Sequence, residues 1–120
     1  MDYQELRARL QAIDGTQLTL TEETNAGEFG VPDEYIEFLR QVGYGRIGNS
    51  QFQFFDGVVF VDEIFGYETP ETENVLIFGD DYQGVCTGFD KESWGVVRVL
   101  HDQSVVPIAD SFESFVSQEF

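Results

Sequence analysis

Tyr3, Leu6, Leu10 and Ile13 recur three and four positions apart, the spacing that gives a helix one apolar face, and predict a helix over Asp2–Ile13. Asp2 and Glu5 suit the positive end of its dipole, and Gly15 can end it in a left-handed conformation. Gln17–Leu20 reads as a short extended piece. A brief second helix is expected from Thr21, with Glu22 and Glu23 in its first turn, to Gly30. The third is sharper. Pro32 fits its first position, where the missing N–H would have no partner anyway, and Asp33 and Glu34 follow in the first turn. Tyr35, Phe38, Leu39 and Val42 make its buried stripe, and Gly43 ends it. Gly43, Gly45 and Gly48 then mark a loop that changes direction.

Beyond this point the period switches from helical to extended. Gln51–Phe54 alternates polar and apolar residues, as a half-buried strand does. Val58–Val61 is a short β-branched and aromatic run, followed by one helical turn through Asp62–Phe65. Tyr67–Asn74 is polar and acidic, hence a loop. Val75–Phe78, Val85–Phe89 and Gly95–Leu100 read as three strands separated by turn signals. Asp110 as N-cap, with Glu113 three residues on, opens a last helix that turns Phe112, Phe115 and Val116 inward. The strand connections are too short for helical crossovers. The expected fold class is therefore α+β: a single domain over residues 1–120, a twisted antiparallel sheet with N-terminal helices and a C-terminal helix packed on it.

Composition supports a packed chain. Hydrophobic residues make up 42% and aromatic ones 15%, which argues against disorder, and 12 phenylalanines imply a core of flat rings. The single cysteine, Cys86, can form neither an internal disulfide nor a cysteine-rich zinc site. No apolar run approaches the roughly 20 residues of a membrane span. The opening Met-Asp-Tyr-Gln-Glu lacks the basic start and apolar stretch of a secretory signal, so a soluble, cytoplasmic protein without membrane contact is expected.

Charge changes the picture most. The chain has 6 basic and 23 acidic residues, a formal net charge of −17. Between Arg46 and Lys91 there is no lysine or arginine, while Asp56, Asp62, Glu63, Glu68, Glu71, Glu73, Asp80, Asp81 and Asp90 all fall there. Such an imbalance opposes compaction and excludes ordinary non-specific nucleic-acid binding. Two readings fit it: a solvated face that keeps the chain soluble, or a surface that meets a basic partner. The missing cations bear on the second, because a merely soluble surface usually mixes both signs.

Catalytic chemistry finds few parts. His101 is the only histidine; it is followed by Asp102 but has no nucleophile motif around it, so it reads as an ordinary residue at a strand end. Cys86 has no basic neighbour in its strand to lower its pKa and reads as inert. Asp80 and Asp81 lack the alternating ligands of a calcium loop, and phosphate between Gly79 and Gly84 would meet two aspartates and no lysine. Phe52, Phe54 and Phe55 read as core rather than as an aromatic binding platform; exposed beside acidic residues, they would instead be interface anchors. No catalytic residue, metal site or cofactor is expected.

Three segments resemble one family. Val31-Pro32-Asp33-Glu34-Tyr35-Ile36-Glu37-Phe38-Leu39 with Gly43-Tyr44-Gly45 is similar to the proline-led helix and glycine turn of the Smi1/Knr4 proteins, part of the SUKH superfamily. Leu76-Ile77-Phe78-Gly79-Asp80-Asp81 with Gly84, then Gly88-Phe89-Asp90, resembles its strand–turn–strand unit. Ala109-Asp110-Ser111-Phe112-Glu113-Ser114-Phe115-Val116 resembles its final helix. The match runs from about Thr21 to the C-terminus in family order. Val31 stands where leucine is common, and the acidic loop Glu68–Glu73 has no counterpart.

The resemblance implies an α+β domain that acts by binding proteins. Bacterial relatives look like immunity proteins that neutralise a toxin made by the same cell, often a nuclease. Fungal relatives act as interaction scaffolds in cell-wall and signalling pathways, the alternative reading. A nuclease presents cations to phosphates, so its inhibitor gains by presenting carboxylates. The expected partner is a cognate toxin, a basic nuclease, with no direct nucleic-acid contact. The candidate surface comprises Asp56, Asp62, Glu63, Glu68, Glu71, Glu73, Asp80, Asp81 and Tyr82.

Overall fold

In the computed structural model, which describes residues 1–120, seven strands hydrogen-bond in chain order, each antiparallel to its neighbour. They are β1 (Gln17–Thr19), β2 (Tyr44–Ile47), β3 (Phe52–Phe60), β4 (Val75–Asp80), β5 (Cys86–Asp90), β6 (Val96–Val99) and β7 (Val105–Ala109). The helices are α1 (Tyr3–Gln11), α2 (Asp33–Gln41), α3 (Val61–Phe65) and α4 (Phe112–Glu119). This is the α+β class that the pattern predicts.

One face of the sheet carries α1, α2 and α4 over a core of aromatic rings. Tyr35, Phe38, Leu39 and Val42 are all fully buried, so the predicted stripe of α2 is the inward one. The Tyr35 ring lies 5.2–5.7 Å from those of Phe78, Phe89 and Phe112, and its hydroxyl donates to the Gly57 carbonyl at 3.0 Å. Offset and edge-on ring pairs of this kind add about 0.5–1.5 kcal/mol each beyond the area they bury. The other face is thinner. Val61, Val75, Ile77, Cys86, Val97 and Val99 form a second buried cluster under α3 and the loop that follows it.

Several boundaries differ from expectation. The segment from Thr21 to Gly30 forms only a single 3₁₀ turn, Ala26–Phe29, because its side chains bond to backbone in competition with a helix. Thr24 Oγ1 accepts from Ala26 N at 3.2 Å, and the Asn25 amide pairs with both backbone groups of Val58 at 2.8 and 3.0 Å. Pro32 is the N-cap of α2 rather than its first residue. Gly43 and Gly45 border and enter β2 rather than a loop. Their φ values are +108° and +130°, and a side chain at either would collide with the carbonyl oxygen of Thr19 or Gln17 on β1.

The two predicted runs around Phe54 and Val58 are one strand, β3, whose register shifts between Phe54 and Val59. β7 was not anticipated, because Pro107 interrupts its pattern. As the last strand of the sheet it tolerates proline, since an edge position leaves one row of N–H groups unpaired anyway. The last helix is capped by Ser111, not Asp110: Ser111 Oγ accepts from Ser114 N at 3.1 Å.

Candidate protein-binding surface

Three segments carry the acidic stretch: β3 with α3, the loop between α3 and β4, and the β4–β5 turn. Asp56 stands exposed within the register shift of β3, and its carboxylate has no hydrogen bond or ion pair in the chain. At the start of α3, Glu63 Oε2 accepts from Phe60 N at 2.7 Å, which satisfies a donor that a helix start leaves unpaired. Val61 is buried beneath, while Asp62, Glu63 and Ile64 face solvent. Asp56 and Glu63 share a groove of about 530 Å³ with Tyr44, Phe55, Val59 and Ile64. Asp62 does not line it.

In the loop, Glu68, Glu71 and Glu73 are exposed and Thr72 among them is fully buried. Thr72 Oγ1 accepts from Thr69 N and donates to Gln103 Oε1, both at 2.8 Å. Gln103 Nε2 donates to the Tyr67 carbonyl at 2.9 Å. One buried amide from the β6–β7 turn therefore pins the acidic loop at two places.

In the β4–β5 turn the carboxylates shape the backbone. Asp80 Oδ1 accepts from Tyr82 N at 3.1 Å, and Asp81 Oδ1 from Gln83 N at 2.8 Å and Val85 N at 3.1 Å. His101 Nε2 lies 2.6 Å from the Gln83 carbonyl oxygen and ties the same β6–β7 turn to this one. No hydrogen bond joins His101 to Asp102. Asp102 accepts from Ser104 N at 2.9 Å, and hydrogen bonds from Ser104 hold its carboxyl below the usual range.

Of the sequence-derived candidates, Asp56 and Glu63 share one groove. Glu68, Glu71 and Glu73 are linked to Asp80, Asp81 and Tyr82 through the residues of one turn, and Asp62 points elsewhere on α3. Asp90 serves a third turn, accepting from Glu92 N at 2.8 Å. Sequence reasoning missed Tyr44, Ile64 and Tyr67 as apolar members of this surface; Phe55, expected in the core unless exposed beside acidic residues, is half-buried and lines the groove. Ile64 and Tyr67 are 43% and 55% exposed, and the available signal was that they interrupt an otherwise acidic run.

The surface is electrically open. The chain's ion pairs join the Met1 amino group to Glu113, Arg40 to Glu37, and Arg98 to Glu119. None involves a carboxylate between Arg46 and Lys91. Nor does any group of three or more His, Cys, Asp or Glu side chains gather as metal ligands.

A seven-stranded antiparallel sheet in chain order, with three helices on one face and a clamped acidic loop on the other, defines an α+β domain. The chain belongs to the SMI1-KNR4 cell-wall family, whose model, SUKH_6, matches residues 20–116. No curated protein and no solved structure matches it significantly. No helix is long and apolar enough to cross a membrane.

Proposed function

We propose that this chain is a non-catalytic, cytoplasmic immunity protein that binds a cognate toxin, a basic nuclease, and blocks it sterically. The observation that carries this reading is the unpaired state of the acidic stretch. Its nine carboxylates are exposed or half-buried, and none has a cationic partner within the chain. A field left unneutralised inside the molecule is available to a cationic partner and speeds its capture, by about one to three orders of magnitude over neutral pairs. An interface of ordinary size would cover about 800 Å² on each partner.

The experiment uses the toxin domain that this reading expects to be encoded beside this chain. Glu68, Glu71 and Glu73 are the residues to reverse, because their carboxylates hold no turn or helix end, unlike those of Asp80, Asp81 and Glu63. The triple change to lysine is expected to slow association about tenfold or more, to flatten its salt dependence and to leave the fold intact. An unchanged association rate would remove the acidic loop from recognition. Binding of several unrelated proteins without loss of any toxin activity would favour a scaffold of the Smi1/Knr4 type instead.

A further inference from the structure

The groove between α3 and β2 brings two carboxylates of the acidic surface together with several apolar side chains. α3 packs on β3 and β4. Phe55 and Val59 of β3 line the groove between Tyr44 of β2 and Ile64 of α3, with Asp56 and Glu63 at its border. It is shallow and open to solvent, which suits a side chain presented by a partner protein rather than an enclosed small molecule. Ile64 is 43% exposed, an apolar side chain turned to solvent beside two carboxylates.

The charges restrict the occupant. Asp56 has no partner, and Glu63 engages only one oxygen, on Phe60 N. Arg46, on the same strand as Tyr44, donates its Nε to the Gly15 carbonyl at 3.0 Å and does not line the groove. A neutral apolar ligand would cover two carboxylates without compensating them, which is costly. Nucleic acid and acidic peptides would be repelled. A segment with an apolar side chain between lysines or arginines satisfies both the lining and the border.

We infer that this groove is the anchoring site for such a segment of the partner protein: an aromatic or aliphatic side chain seated against Phe55 and Ile64, flanked by cations that meet Asp56 and Glu63. This rests on the immunity reading for the identity of the partner, but the groove is tested without the toxin. Buried apolar anchors ringed by polar contacts carry most of the energy of protein interfaces, whereas exposed charges mainly set the rate of encounter. The groove would thus govern dissociation and the acidic loop association.

The test titrates the ¹⁵N-labelled chain with a short synthetic peptide that has Trp-Leu at its centre and lysines on both flanks. Two controls replace the lysines by glutamates or Trp-Leu by Ala-Ala. The first peptide should shift the amide signals of Tyr44, Phe55 and Ile64, and both controls should fail to do so. Ile64→Ser and Asp56→Asn, both at solvent-facing positions, should each weaken binding about fivefold or more with an unchanged circular dichroism spectrum. Equal shifts from the Ala-Ala peptide, or shifts centred on Glu68–Glu73, would mean that charge alone attracts the peptide and would overturn the groove site while leaving the immunity reading intact. Absence of any shift overturns it too, as do groove shifts that grow with chain concentration alone, which would identify a second copy as the occupant. Conversely, peptide binding in the groove together with unchanged toxin capture by the loop-reversed variant would retain the groove and sink the acidic-capture reading.

Discussion

Cys86 and Tyr35 are the side chains whose ionisation the fold most resists. Burial, and then the negative charges of Asp80 and Asp81, push the Cys86 thiol up to about 11 from its ordinary 9.0. Tyr35 is raised above its ordinary 10.0 by burial first and the charge of Asp56 second. In both, the folded chain keeps a proton that the unfolded chain gives up. Their contribution to stability is therefore complete below pH about 9 and is lost as pH rises towards the folded values. Urea unfolding should give a constant free energy from pH 7 to about 8.5 and a falling one beyond about pH 9. Cys86→Ala should remove the decline that begins at about pH 9 and runs to about 11, and keep the one that begins at about pH 10, due to Tyr35 and Tyr3. The inert thiol was legible from the absence of a basic neighbour in its strand. That acidic residues lie close enough to raise it was not, because Asp80 faces Cys86 only through the pairing of β4 with β5.

At the scale of elements, the β6–β7 turn organises the surface more than any strand does. Gln103, 2% exposed and at φ +64°, sends one amide to both Tyr67 and Thr72, while His101 reaches Gln83. Gln103→Leu keeps the bulk and removes both bonds. It should cost about 1–3 kcal/mol in chemical denaturation, because a buried hydroxyl loses a partner, and should speed hydrogen exchange at the Thr69 and Thr72 amides. An unchanged exchange rate would show that the loop is held by packing alone. None of this was readable in the sequence, where Gln103 looks like one polar turn residue among several. The regular elements were readable: α1, α2, α4 and strands β4 to β6 fall within about two residues of their predicted spans, because each has an apolar period of its own. β2 and β7 were not, since glycine and proline are turn signals locally and acquire strand meaning only from a neighbour that needs close approach or from an edge with nothing to pair.

For the whole molecule, 23 carboxylates face 6 cations within principal extents of 39 × 28 × 24 Å. At about 0.01 M salt the screening length is about 30 Å, so charges repel across the full body; at about 0.15 M it is about 8 Å and only neighbours interact. Thermal stability should therefore rise by several degrees between these conditions, and a fall would mean that attractive pairs dominate. The sequence by itself determined the fold class, the ring-built core and the sign of the charge, because periodicity and composition are properties of the chain alone. It also carried the family, through motifs spaced along residues 31–116. Only the tertiary structure decided how the acidic stretch is divided. It gathered Asp56 and Glu63 beside Tyr44, Phe55 and Ile64, clamped the Glu68–Glu73 loop to the β6–β7 turn, and turned Asp80, Asp81 and Asp90 to holding backbone turns. The reason is physical: which face a side chain takes depends on strand register and on hydrogen bonds between distant segments, and neither is written in the spacing of residues along the chain.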